Sequence, residues 1–243
     1  MWINNLCFVY IYLIFLSIFF IKVPKKYEKI IINNIYIDIY NNYNYFNKQY
    51  ISNIIDYYKS HNNLLFNVHD FFISKPLVES ITIYFDVYNN LYVKIYMKNI
   101  LIKIENIYKK SFFIDFNGYK IDNVHNDNLH TIVNAYGFIT EYANDKSCKI
   151  KSEIVIDIYK ISLYIKNSSF WVKHIKHIYV NKNIEIELTT YINNHIFLIG
   201  NSNDINEKMD KIILFYQKII NRIDSYKYLV INLKYKNQII CSD

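Results

Sequence analysis

The sequence predicts an α+β fold behind a single N-terminal transmembrane helix: a compact α+β module first, then a mostly antiparallel β domain with flanking helices. Three observations predict it. Residues 1 to 21 carry no charged side chain, residues 29 to 104 pass from helical to alternating periodicity, and beyond them short alternating segments are separated by turn residues. A chain of 243 residues with 52% hydrophobic side chains can bury a sizeable core in one or two domains.

The run LCFVYIYLIFLSIFFI, extended by Trp2 and its neighbours, reaches the ~20 residues a helix needs to cross a ~30 Å hydrocarbon core. A cleaved signal peptide is the rival reading, and it wants a basic leader and small residues at a cleavage site, which the segment lacks. Residues 1–22 are therefore read as the anchor. Lys22, Lys25, Lys26 and Lys29 all follow the apolar run, so the positive-inside rule alone puts the bulk of the chain in the cytoplasm.

Behind the anchor, KIIINNIYIDI (29–39) reads as a strand. NKQYISNIIDYYKSH reads as a helix with Tyr50, Ile51, Ile54, Ile55 and Tyr58 on one face. A short second helix begins at a candidate N-cap, Asn67, and stops before Pro76. Ile81, Ile83 and Phe85, then Leu91, Val93, Ile95 and Met97, alternate on either side of DVYNN and predict a β-hairpin. Strand, helix, helix, strand, strand is an order that suits a polypeptide-binding module.

The remainder is mostly β. Asn117 and Gly118, between apolar flanks, signal a type I′ turn. EIVIDIYKISLYIKN reads as a helix with Ile154, Ile158, Ile161 and Leu163 or Tyr164 inward, and its β-branched content keeps a strand open. SSFWVKHIKHIYVNKNIEIELTT reads as a hairpin, with Ile178 and Val180 before the turn Asn181–Asn183 and Ile184, Ile186 and Leu188 after it. Phe170 and Trp171 end the element before it. Asp204 and Glu207 match a capping box ahead of the stripe Met209, Ile212, Ile213, Tyr216, Ile219, Ile220, Ile223. In YLVINLKYKNQII, Leu229, Ile231, Leu233 and Tyr235 oppose Val230, Asn232, Lys234 and Lys236, which predicts a C-terminal strand over Val230 to Ile240.

Composition argues against several functions. Ile, Tyr, Phe, Asn and Lys dominate, with only 3 Gly and 2 Pro, a bias that AT-rich codons produce, so the net charge of +7 and the 26 tyrosines carry little functional weight. His174 and His177 lack further ligands for a metal, His125, Asp127 and His130 read as a polar loop, and Glu185 and Glu187 read as a solvated sheet face. No nucleophile elbow, phosphate loop or zinc-protease helix occurs, so the chain is read as non-enzymatic, with no cofactor, metal or nucleic acid. The tyrosines and lysines of LYVKIYMK, residue types that stack single-stranded bases in other settings, are read as sheet surface. Cys148 and Cys241 would pair only outside the cytoplasm, and two free thiols are the default.

Several stretches resemble the bacterial cell-division family FtsQ/DivIB. They are VHDFFISKPLVESITIYFDVYNNLYVKIYMKNILIKI, then FFIDFNGYKI with Asp115 and Gly118 in matching places, then FWVKHIKHIYVNKNIEIELTT, NHIFLIGNSNDINEKMDKIILFYQKI and YKYLVINLKYKNQIIC. The chain departs from the family where Ile100 replaces a signature proline and Met97, Lys98 and Asn99 a basic pair. It departs again where Thr189, Thr190, Tyr191, Ile192 and Asn193 stand in place of Pro-Arg-Val-Gly, and in an almost absent basic tail before the anchor.

The resemblance implies a single-pass protein of the bacterial inner membrane with its C-terminal domains in the periplasm, against the charge-based topology. It implies a POTRA-like domain over 23–104, an FtsQ-type β domain over 105–243, and a non-catalytic scaffold linking division proteins at the septum. Its partners would be small coiled-coil division proteins (FtsB/FtsL type) and other divisome components, bound by β-strand addition at the C-terminal strand. By carry-over, Leu233, Lys234, Tyr235, Asn237 and Gln238 lie in the partner-binding strand, with Tyr235 as aromatic anchor and Lys234 and Lys236 facing acidic partner residues. A membrane-anchored POTRA protein of polypeptide transport, without a division role, is the alternative.

Overall fold

A computed structural model describes residues 31–41, 46–59, 63–122, 133–143, 148–219 and 229–242. The expected anchor lies outside them, as do His125, Asp127, His130, Ile220 and Ile223. Among the described residues no helix is long and apolar enough to cross a membrane. The fold is α+β and strand-rich, built on two sheets with separate cores.

In the smaller sheet β1 (Ile35–Tyr40) runs parallel to β3 (Leu91–Met97), which pairs antiparallel with β2 (Val78–Phe85), giving the order β1-β3-β2. Helices α1 (Lys48–Lys59) and α2 (Leu64–Ile73) cover one face. Ile51 and Ile55 of the expected helical face are fully buried against Leu91, Val93, Ile95 and Met97. Helix α2 starts earlier than the sequence suggests: its N-cap is Asn63, in the left-handed conformation (φ 64°), and Asn67 lies inside the helix.

The larger sheet has ten strands in the order β13-β12-β11-β10-β9-β7-β4-β5-β6-β8. They are β4 (Ile100–Glu105), β5 (Ser111–Asp115), β6 (Tyr119–Asp122), β7 (Asn134–Gly137), β8 (Cys148–Lys149), β9 (Ile175–Val180), β10 (Ile186–Thr190), β11 (Ile196–Gly200), β12 (Val230–Asn232) and β13 (Ile240–Ser242). Most neighbours are antiparallel, and β4–β7, β7–β9 and β11–β12 are parallel. Residues 100–104, which the expected boundary at 104 put in the first unit, lie in β4, the first strand of this sheet in chain order, while Ile100, Phe113 and Ile121 pack into the smaller core. Cys148 and Cys241 are free thiols at opposite edges of the sheet.

Helices α3 (Glu153–Lys166), α4 (Ser169–His174) and α5 (Ile205–Ile219) contribute Val155, Ile158, Ile161, Ile165, Trp171, Met209, Ile212 and Phe215 to the larger core. The segment 154–164 left open between helix and strand is thus helical, and Val155 and Ile165 are buried beside the expected Ile158 and Ile161. Asp204 does not cap α5. It takes the left-handed conformation (φ 52°), outside the extended region an N-cap needs, and Glu207 turns to Lys211 and Asn237 instead.

Turn chemistry departs from expectation in a consistent way. Gly118 alone is left-handed (φ 77°) in the β5–β6 connection, so this is not the type I′ turn, which needs positive φ at both central residues. Asp115 Oδ1 holds the connection by accepting from the N–H groups of Asn117 and Tyr119. Elsewhere asparagine does glycine's work: Asn41, Asn63, Asn89, Asn193, Asn194 and Asn237 are all left-handed. Asn193 and Asn194 turn the chain between β10 and β11, where the resemblance had lost its Pro and Gly. Ile184, expected on a strand, is instead a left-handed turn residue (φ 61°), an uncommon place for a β-branched side chain.

Candidate functional site at the C-terminal sheet edge

The residues singled out for partner binding do not form one strand. Strand β12 stops at Asn232, and β13 returns antiparallel beside it, pairing Val230 with Ser242, Ile231 with Cys241 and Asn232 with Ile240. On its other side β12 runs parallel to β11. Val230–Asn232 is therefore hydrogen-bonded on both sides within the chain, and the expected edge strand Val230–Ile240 is corrected: the edge is β13, three residues long.

The reversal has visible causes. Leu233 N–H donates to Leu198 O (3.1 Å), and its side chain is fully buried, so it ends the alternating run rather than continuing it. Lys234 N–H then turns back to Asn232 Oδ1 (3.0 Å), and Asn237 adopts the left-handed conformation (φ 58°). The buried Lys211 ammonium donates to Tyr235 O (2.8 Å) and pairs with Glu207 (2.8 Å), whose carboxylate also accepts Asn237 N–H (3.4 Å). Hydrogen bonding from Lys211, then from Asn237, holds the Glu207 carboxyl below its usual range. This clamp fixes 233–238 against α5, a role for Lys211 and Glu207 that their place in a helical pattern did not reveal.

The six candidate residues thus divide. Leu233 belongs to the core, and Tyr235, Lys236, Asn237 and Gln238 are exposed on the turn, Tyr235 by about half of its surface (52%). Lys234 is engaged within the chain: its ammonium meets both Glu185 oxygens, at 2.8 and 3.0 Å. The Leu233→Ala chain should lose about 2–4 kcal/mol in urea unfolding, as should Ile231→Ala, because each empties a fully buried site.

Backbone alternation shows what the edge offers. Leu229 O accepts Ile196 N–H (2.9 Å), and Leu233 N–H is spent on Leu198, so odd-numbered residues of β12 face β11. Val230 and Asn232 then face β13, where they meet Ser242 and Ile240. It follows that the N–H and C=O of Cys241 point away from the sheet, and no described element pairs with them. Burial raises the pKa of the Cys241 thiol, whose side chain packs against the larger core. On the opposite, open face Ile196, Leu198 and Val230 are half-buried and Ile240 is 47% exposed, and none belongs to either core. A strip missed in the sequence therefore runs across β11 and β12 to the free edge, apolar at Ile196, Leu198, Val230 and Ile240 and polar at Asn232 and Ser242.

His174 and His177 stand apart from this edge. His174 stacks on Phe170 at 3.9 Å between ring centres, and His177 lies against Tyr136 at 5.1 Å on the far side of β10. Burial, then the neighbouring Lys176 charge, lowers the His177 pKa. Glu185 is taken by Lys234, and Glu187 accepts from the Asn181 side chain (2.9 Å).

No curated protein matches the sequence. Residues 101–242, more than half of the 243, match the family described as FtsQ/DivIB, C-terminal related, which supports a role in cell division. The matched span takes in the whole ten-stranded sheet except the first residue of β4, and on that match the chain belongs to the FtsQ/DivIB, C-terminal related family.

Proposed function

We propose that the chain is an inner-membrane division scaffold, with residues 1–22 as its anchor, a POTRA-like unit next and the ten-stranded sheet outermost. It receives an extended segment of a small coiled-coil partner along β13. The observation that carries this reading is the pair of unclaimed backbone groups on Cys241 at the end of a strip of uncovered apolar side chains.

Magnitudes assign the roles. Pairing with Cys241 adds two hydrogen bonds at about 1 kcal/mol each, enough to set register but little affinity. Covering Ile196, Leu198, Val230 and Ile240, already half-buried, adds about 1 kcal/mol apiece, so the apolar strip supplies most of the binding. The partner's strand accordingly carries apolar residues on the side facing this strip. The turn that places Tyr235 and Lys236 beside the edge provides an aromatic contact and one exposed cation for an acidic partner residue.

Cys241→Pro tests this directly. Proline is tolerated on an edge strand where its missing N–H faces outward, so the fold should survive while the central donor is lost. Full-length tagged chain should co-purify a small coiled-coil division protein from detergent-solubilised membranes. Cys241→Pro should lose it, because the ring not only removes one bond of about 1 kcal/mol but also stands where the partner's carbonyl must approach and so blocks strand pairing, and Tyr235→Ala should retain a weakened interaction. Wild-type recovery with Cys241→Pro would show that the edge is not where the partner docks.

A further inference from the structure

The β2–β3 turn and the residues leading into β1 form an exposed end of the smaller sheet that presents three apolar side chains among uncharged asparagines. Val87 is 90% exposed, Tyr88 72% and Ile31 72%. Hydrogen bonds hold these segments together: Asn33 N–H donates to Asn89 O (3.1 Å), Asn33 Nδ2 to Tyr88 O (2.6 Å), and Asn34 Nδ2 to Asn90 Oδ1 (2.9 Å). The turn itself is fixed, because Asp86 Oδ1 accepts from Tyr88 N–H (2.8 Å) and Asn90 N–H (2.9 Å), and Asn89 is left-handed. Val87 and Tyr88 are therefore held outward by a stiff frame, with Tyr88 O and Asn89 O already supplied with donors.

The surroundings suit an interface between water and lipid. Behind the tip, Tyr36, Tyr92 and Tyr84 stack across the outer sheet face at 4.9 and 5.0 Å. Asp86 is the one charged residue within 31–36 and 84–92, and its carboxylate is turned inward, where the Asn90 side chain first, then the Asn90 and Tyr88 N–H groups, hold its pKa down. Glu79 stands at the far end of β2. Only the nine residues Lys22–Ile30 separate the apolar run from Ile31, a span of at most ~30 Å, and they carry Lys22, Lys25, Lys26 and Lys29. Whatever surface holds the apolar run is within reach of this tip.

We propose that this end docks on the bilayer that holds the N-terminal segment. Val87, Tyr88 and Ile31 enter the boundary between headgroups and acyl chains, and Tyr36 and Tyr84 lie at headgroup level. The proposal rests on the membrane-anchor reading above and adds a second point of attachment, which fixes the smaller sheet on the membrane.

The test uses full-length chain in vesicles of phosphatidylethanolamine and phosphatidylglycerol, with Cys7, Cys148 and Cys241 replaced by serine. An environment-sensitive fluorophore is placed singly by Val87→Cys, Glu79→Cys or Tyr12→Cys. The label at 87 should be blue-shifted and quenched by headgroup-nitroxide lipid several-fold more than the label at 79, and the label at 12 should be quenched by lipid nitroxide-labelled deep in the acyl chain. Equal quenching at 87 and 79 with position 12 still quenched would overturn the docking and leave the anchor standing. Loss of quenching at position 12 would remove both.

Discussion

Gly137→Ala should leave the chain unable to hold its larger sheet, at a cost above about 4 kcal/mol, among the largest effects a single methyl group can have. Gly137 has φ +118° and sits where β7 pairs parallel with β9, opposite Val180. A Cβ there would lie 2.2 Å from Val180 O and 2.9 Å from Val180 N, both backbone atoms of a central strand. Val180 O is also the acceptor for Phe138 N–H (2.9 Å), so moving it aside breaks the bond that ends β7. Gly118→Ala is the control: the nearest atoms to its added Cβ are side-chain atoms at 3.8 Å, so only its left-handed backbone (φ 77°) is penalised, by about 1 kcal/mol. Urea unfolding of the two variants should separate them by more than about 3 kcal/mol.

Glu141→Gln should cost about 3–5 kcal/mol at neutral pH, because it strips the counter-ion from a buried cation. Lys120 and Glu141 pair at 2.8 Å with side chains 6% and 8% exposed. Glu141 also accepts from the N–H groups of Lys151 (3.1 Å) and Ser152 (3.0 Å) and from the Ser152 hydroxyl, while Lys120 donates to Tyr142 O (3.1 Å). One carboxylate thus joins β6, the segment at 141–142 and the start of α3. Burial alone pushes the Glu141 pKa up, and hydrogen bonds from Lys120 and Ser152 with the Lys120 charge overcome it, so the net shift is downward. A depressed carboxyl contributes its stabilisation above the unfolded-state value of about 4.3 and loses it as pH falls through the folded value. The gap between parent and Glu141→Gln should accordingly be constant from neutral pH down to about 5 and shrink below about 4.

The parts of the fold legible in the sequence are those whose burial has a short period. Ile81, Ile83 and Phe85 against Leu91, Val93, Ile95 and Met97 gave the β2–β3 hairpin, and Met209 and Ile212 gave α5, since side chains along one element must share one face. Parallel pairings such as β4 with β7 leave no local trace, because their partners are distant in sequence. The C-terminal edge was misread for a different reason. Tyr235 keeps the alternation of Leu229, Ile231 and Leu233, yet tyrosine is so common here that its position says little about burial. Asn237, which reverses the chain, is one asparagine among many, in a sequence where asparagine replaces glycine at left-handed positions. Lys211 and Glu207, which clamp the reversal, read as an ordinary ion pair one helical turn apart.

With the sheet edge at β13, the register of the proposed docking is set by the backbone of Cys241 and not by the side chains of 233–238. Hydrogen exchange of the Cys241 amide, followed in the chain alone and in complex with the coiled-coil division protein proposed above as partner, tests this most directly. The amide should exchange freely in the isolated chain and become protected on binding. An amide that stays unprotected in a saturated complex would contradict strand addition at this edge.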